Sequence, residues 1–271
     1  MMSKRTWVVA AALISLVVSS ATYAAKDAIV FSTAPTDTPD ATRKLYNPLM
    51  NYLAQATGVK FVIEPAQNYV EYSNKLRAGA YDMLFDGPHF TGWRMERMGA
   101  VPLARLPGDI SIVVVVRADS TVSAVGDLVG VRVCSFASPN MLTMDFLSYF
   151  PNPARQPILV REQGFKEVTE CLRSGKGDAA VLRDKVWAKQ DQNGLKVLAE
   201  KYRSYPERTF SVSKDVDPAL REKIAAALLS EEGQKAAAPI LAAFKKDKLI
   251  PADPKVYDGL GNLLSPVWGF Q

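Results

Sequence analysis

The sequence predicts an α/β protein built as two lobes, each with its own sheet. Three observations carry that reading. First, apolar runs of strand length alternate with stretches of helical spacing in the order βαβαβα, and the alternation restarts in the middle of the chain. Second, Leu76-Arg77-Ala78-Gly79-Ala80-Tyr81-Asp82 is echoed by Leu172-Arg173-Ser174-Gly175-Lys176-Gly177-Asp178. Each reads as a helix end, a glycine cap and an aspartate opening a buried strand. Third, each of those strands runs into a polar loop, residues 86–91 and 183–185. Ligands of open α/β sheets sit beyond the carboxyl ends of strands, so two such lobes would set these loops across a cleft from each other.

The N-terminus reads as a signal peptide. Lys4 and Arg5 form a charged start, residues 7–18 an apolar core, and Thr22-Tyr23-Ala24 a small-residue cleavage site. Cleavage is expected after Ala24, leaving roughly 247 residues, exported to the periplasm. No cysteine lies near that point to take a lipid anchor, and no later run reaches membrane-spanning length. The formal charge is +5 for the full sequence. Removing Lys4 and Arg5 lowers it to about +3, and no basic patch interleaves with aromatics, so nucleic acid is not an expected partner.

From there the elements follow in order. Residues 28–32 (AIVFS) read as a strand, and 33–39 (TAPTDTP) as a turn-rich loop. Helical spacing through Leu45, Leu49, Tyr52 and Leu53 stops at Gly58. Residues 59–64 alternate as a strand, 69–78 form a helix closed by Gly79, and 81–85 form a strand broken by Asp86-Gly87-Pro88. A helix over 90–98 completes a set expected to form a largely parallel sheet. The apolar run 110–116, bounded by Asp109 and Arg117, reads as a buried strand. A helical turn at 125–130, strands at 131–133 and 157–161, a helix at 165–173 and a strand at 178–182 make the second set. A strand at 209–213 and helices at 218–229 and 231–244 lead to a Pro/Gly-rich tail.

The stretch VRVCSFASPNMLTMDF, residues 131–146, is the most suggestive. It reads as a short strand, a polar turn over 134–138, and a helix with Ser138 as N-cap and Pro139 at the first position. A strand ending in hydroxyls at a helix N-terminus can receive an anion. Equally, Ser138 can simply cap its own helix. The two cysteines, Cys134 and Cys171, match no metal spacing. In an oxidising compartment they are expected to form one disulfide; two buried free thiols are the other reading.

Other site candidates follow from position. His89, the only histidine, sits after a strand-ending Gly-Pro turn and reads as a ligand donor or as a packing residue. Asp86 could accept a hydrogen from a protonated oxyanion or a ligand amine, or cap the next helix. Arg183 and Asp184 end the second buried strand; Arg183 could pair with an anion or be a solvated charge. Tyr46 and Tyr69 could wall a pocket or belong to the core.

With these segments in hand, the chain resembles the phosphate/phosphite/phosphonate-binding component of ABC transporters, a family of periplasmic substrate-binding proteins. The resemblance rests on YNPLMNYLAQATG, LRAGAYDMLFDGP, VGDLVGVRV, LRSGKGDAAV and VSKDVDPALREKIAAALLS, in the family's order over nearly the whole mature chain. It implies a type II periplasmic binding protein fold, with two α/β lobes joined by two strand hinges and closing on ligand. The hinges would fall near Arg117 and 205–210. Lobe 1 would take residues 25–116 and 207–271, and lobe 2 residues 117–206. The family's Ser/Thr cluster at a helix N-terminus corresponds to residues 135–143, which implicates Ser135, Ser138, Asn140 and Thr143. The family usually has a Tyr after the Gly-Pro turn, and here Thr91 holds that place.

No phosphate loop, zinc-protease or nucleophile-elbow motif is present, and one histidine leaves little for a triad or a catalytic zinc. The expectation is a monomeric binding protein, not an enzyme, without cofactor or metal. It would deliver a small anion to an inner-membrane ABC permease and its ATPase. The rival is the same fold used as a sensor, or as an accessory of a periplasmic redox system with a different ligand.

Overall fold

The computed structural model describes residues 27–199 and 203–271. The expected signal peptide and its cleavage point lie outside the described residues. Among those described, no helix is long and apolar enough to cross a membrane.

The chain begins with β1 (Ala28–Thr33), α1 (Pro39–Thr57), β2 (Lys60–Ile63), α2 (Tyr69–Arg77), β3 (Met83–Asp86), α3 (Pro88–Met98) and β4 (Val101–Arg105). Then come β5 (Asp109–Ile110), β6 (Ile112–Arg117), β7 (Arg132–Phe136), α4 (Met141–Leu147), β8 (Ile158–Glu162), α5 (Phe165–Arg173), β9 (Ala179–Arg183), α6 (Asp184–Trp187) and β10 (Leu195–Ala199). It returns through β11 (Tyr205–Pro206) and β12 (Thr209–Val212) to α7 (Pro218–Leu229), α8 (Glu231–Ala236), α9 (Ala238–Ala243) and β13 (Ile250–Pro251). A 3₁₀ turn, Leu260–Leu264, lies near the end.

Local chemistry explains many of these bounds. Thr38 caps α1 by accepting from the Ala41 N–H at 3.3 Å, and Pro39 follows where its missing N–H is not needed. Gly58 ends α1 at φ 76°, a left-handed conformation that favours glycine. The stretch read as one helix over 231–244 divides at Ala237, because Pro239 has no N–H to continue the ladder of α8.

The first sheet has the order β13-β4-β12-β3-β1-β2, and the second β10-β6-β9-β7-β8. Neither is largely parallel. In the first, β1, β2 and β3 are parallel, whereas β12 runs against both β3 and β4. The reason is the path: the chain leaves after β4 and comes back on β12. In the second, β7 is parallel to β8 and β9, whereas β6 opposes β9 and β10.

The first crossing is not near Arg117. It lies at β5, which pairs with β11 at the second crossing through Tyr205↔Ile110 and Pro206↔Asp109. Residues 112–116, expected in lobe 1, therefore belong to the second sheet. There β6 is covered on both faces: Ile112, Val114 and Val116 enter one core cluster, and Val113 and Val115 another. An unbroken apolar run announces such a central strand but not the sheet that holds it. Arg117 sits at the far end of β6 and donates to the carbonyls of Leu172 and Gly177.

The first sheet packs Phe31, Phe85 and Phe210 against Leu49 and Leu53 of α1. The second packs Val133 and Val181 against Phe146 of α4. The tail serves both halves. Leu263 joins the apolar cluster of α4, while Leu264 joins one with Tyr72, Phe90 and Phe270. Helix α3 meets the tail backbone to backbone: a Cβ on Gly92 would lie 2.9 Å from Gly261 N, and one on Gly261 would lie 2.8 Å from Trp93 Cα. Cys134 of β7 and Cys171 of α5 form the expected disulfide.

Candidate ligand-binding site

The carboxyl ends of β1 and β3 meet at Thr33 and Asp86. The Thr33 hydroxyl donates to the Phe85 carbonyl at 2.7 Å. Asp86, 1% exposed, accepts from the Ala34 N–H at 2.8 Å and from the Tyr72 hydroxyl. Burial pushes its carboxyl above the ordinary range. Asp86 does not cap α3, because Gly87 holds that position. It ties the ends of β3 and β1 to α2 instead.

His89 lies in the first turn of α3, 3% exposed. Its Nε2 is 2.9 Å from the carbonyl oxygen of Pro139, across from the second sheet. A carbonyl only accepts, so Nε2 carries the hydrogen and Nδ1 is a bare acceptor. Nδ1 has no partner within the described protein. Burial pushes the imidazole pKa down to about 4; the Pro139 bond opposes this and the charge of Arg208 adds to it.

Arg208 enters from the second crossing, one residue before Thr209, which pairs with Asp86 in the sheet. Its guanidinium lies over the Phe244 ring, 5.2 Å from the centroid. Among the described residues it donates no side-chain hydrogen bond and has no carboxylate at ion-pair distance. Its field reaches Tyr46, Tyr69, Asp86 and His89. Tyr46 is buried between Phe31 and Phe85, and burial pushes its hydroxyl up to about 12.

On the facing side, β7 runs on through Phe136, so the polar turn expected over 134–138 is half strand. Asn140, not Ser138, caps α4, its Oδ1 accepting from the Leu142 N–H at 3.0 Å. The Ser138–Pro139 peptide is cis. Thr143 donates to the Phe136 carbonyl at 2.8 Å, so the 2.8 Å bond between Ser135 and Thr143 uses the Ser135 hydrogen. Both hydroxyl hydrogens are committed inside the protein. Ser138 donates to the Met144 sulfur at 3.2 Å.

Arg183 is not a solvated charge. It donates to Glu207 at 2.7 Å, and Lys246 binds the same oxygen at 2.9 Å. Burial works to raise the Glu207 pKa, yet Arg183 and Lys246 together hold it below its ordinary value. This trio joins the end of β9, the second crossing and the segment after α9. Asp184 accepts locally from the Lys185 N–H at 2.7 Å. Thr91 is buried and donates back to the Gly87 carbonyl at 3.3 Å.

Two α/β sheets with two crossing strands are the frame of a closing binding protein, and the sequence decides which kind. A model of the ABC transporter phosphonate periplasmic substrate-binding protein family matches residues 31–257. The chain belongs to that family.

Members of this family bind small solutes and work with an ABC permease and ATPase; they are binding proteins, not enzymes, and the family is periplasmic. No curated protein sequence matches the chain. Among solved structures, XAC2383 from Xanthomonas citri bound to ATP aligns with a TM-score of 0.72 at 16% identity, over 89% of this chain and 98% of that one. PhnD1 from Prochlorococcus marinus in complex with methylphosphonate aligns with a TM-score of 0.66 at 15% identity, over the same shares. The GluR0 ligand-binding core from Nostoc punctiforme in complex with L-glutamate aligns with a TM-score of 0.51 at 12% identity, over 80% and 98%. At these identities the likeness establishes the fold, that of a type II periplasmic binding protein with two α/β lobes and a two-strand hinge.

Within this family fold, the sequence-predicted residues divide into groups. Asp86, His89 and Tyr46 gather around Arg208 in the first lobe, and Pro139 beside Ser138 and Asn140 reaches His89 from the second. Ser135 and Thr143 face each other, and Arg183 joins the hinge trio. Sequence reasoning missed Arg208, Glu207 and Lys246. The available signal was Glu207-Arg208, a charged pair inside the second crossing, YPERTF.

Proposed function

We propose that this chain captures a small oxyanion of the phosphate, phosphite or phosphonate kind between its lobes and delivers it to an ABC importer. It does so as an exported monomer in the periplasm, after removal of its signal peptide. Lobe 1 holds the first sheet with α1–α3 and α7–α9, and lobe 2 the second sheet with α4–α6. The observation that carries the reading is Arg208: a guanidinium at the carboxyl ends of β1 and β3, without a carboxylate at ion-pair distance. A partly buried cation of this kind favours an anionic guest. The hydrogen-bonding share falls to His89 and the amide NH2 of Asn140, with Ser138 beside them committed to Met144 and with Asp86 and Tyr46 as the wall behind Arg208. Closure would remove water and strengthen these contacts.

Calorimetric titration with inorganic phosphate, phosphite and methylphosphonate tests it. Saturable heat with at least one of them is expected. No heat and no thermal stabilisation with any would overturn the reading and favour the sensor or accessory role with another ligand.

A further inference from the structure

The carboxyl end of β3 carries two unmet demands of opposite kind. Arg208 offers charge and donors. Its guanidinium carbon lies 5.2 Å from the centre of the Phe244 ring, and such a contact does not use up its N–H donors. The neighbouring Glu207 and Asp86, whose strand partner Thr209 follows Arg208, are engaged elsewhere: Glu207 by Arg183 and Lys246, and Asp86 by the Ala34 N–H and the Tyr72 hydroxyl.

His89 offers the reverse. Its Nε2–H is fixed on Pro139, which leaves Nδ1 as a lone-pair acceptor in a residue 3% exposed. That atom sits over the N-cap of α3: a Cβ built on Gly87 would lie 3.1 Å from it. Pro88 has no N–H to offer and the Thr91 N–H bonds the Gly87 carbonyl, so the helix end presents the N–H groups of His89 and Phe90, which no side chain caps. A fully deprotonated oxyanion satisfies the guanidinium and the helix end but sets an oxygen lone pair against Nδ1. An oxyanion that keeps one hydrogen satisfies all three.

We propose that Arg208 and His89 together select an oxyanion still bearing a hydrogen, with Arg208 binding its charged oxygens and His89 Nδ1 accepting from its X–OH group. This rests on the oxyanion reading given above and deepens it. Sulfate has the right size and charge but no hydrogen at neutral pH. A site with a buried acceptor rejects the analogue that lacks the donor far more strongly than an apolar pocket rejects a misfit.

The test is titration of the whole protein at neutral pH with inorganic phosphate, methylphosphonate and sulfate. Phosphate or methylphosphonate is expected to bind at least about 100-fold more tightly than sulfate. His89→Phe removes the acceptor and should bring the oxyanions to within about tenfold of one another, whatever it does to overall affinity. His89→Gln keeps a donor for Pro139 and an acceptor for the ligand, and should retain the discrimination. Arg208→Gln should weaken every oxyanion at least about 100-fold, and Arg208→Lys should recover part of that. Thermal unfolding without ligand identifies any variant that has lost its fold. Sulfate binding as well as phosphate, or a His89→Phe variant that still discriminates, overturns this inference alone. Failure of all three anions to bind the wild type overturns this inference, and failure of phosphite as well overturns the oxyanion reading with it.

Discussion

His89 Nε2 donates to the Pro139 carbonyl at 2.9 Å, joining the first turn of α3 to the turn before α4. The bond links the two lobes directly, and it exists only while the imidazole holds its hydrogen on Nε2.

Burial of the imidazole, which disfavours its charged form, confers a pH dependence on stability. Its folded pKa is about 4, against an ordinary 6.5. Between these values the unfolded chain takes up a proton and the folded chain does not. The contribution is full above pH 6.5 and falls away as pH drops from 6.5 to 4, by on the order of 3 kcal/mol in all. Asp86 and Asp145 are raised, so they act in the opposite sense, favouring the fold at low pH. Urea unfolding of wild type and His89→Gln from pH 4 to 8 separates them: the wild type should lose stability relative to the variant as pH falls from 6.5 to 4.

Glu207 holds two cations from different parts of the chain. Glu207→Gln leaves Arg183 and Lys246 facing each other without a counter-charge. The expected loss is about 2–3 kcal/mol, below the cost for a fully buried pair because both cations are partly solvated. Arg183→Met combined with Glu207→Gln should cost less than the sum of the two. Additive losses in thermal unfolding would contradict the trio.

The disulfide closes a loop with a sequence separation of 37. In the chain-entropy account this is worth about 4 kcal/mol. Reduction, or Cys134→Ser with Cys171→Ser, should lower the urea midpoint accordingly and loosen α5 from β7. Hydrogen exchange of the 165–173 segment would show it.

Gly92 and Gly261 set the distance between α3 and the tail. Alanine at either meets backbone atoms within 3 Å, which cannot move aside as a side chain could. A loss of about 1–3 kcal/mol is expected for each. Gly126→Ala, where nothing lies within 4 Å, is the control and should be near neutral.

Much of the frame was legible because its causes are local. Gly58, Gly79 and Gly175 mark helix ends through their left-handed φ, and alternating strands and helices announce the α/β class. What was not legible depends on distant partners. The sheet that takes β6 is decided by β9 and β10, far along the chain. Ser135 and Thr143 look like free hydroxyls until the turn brings them together. His89 read equally as a ligand donor or a packing residue, because its partner Pro139 is fifty residues away. Arg208 sits between two short strands, with no periodicity to single it out.

Leu263 and Leu264, neighbours on one 3₁₀ turn, are buried in opposite lobes. The hinge is thus accompanied by a tether. Rotation of one lobe away from the other must either drag the tail along or draw Leu263 out into water, so the swing has a built-in stop. Trimming the chain before residue 260 would free that stop and, with Leu264 and Phe270 gone, also open the first core beside α3.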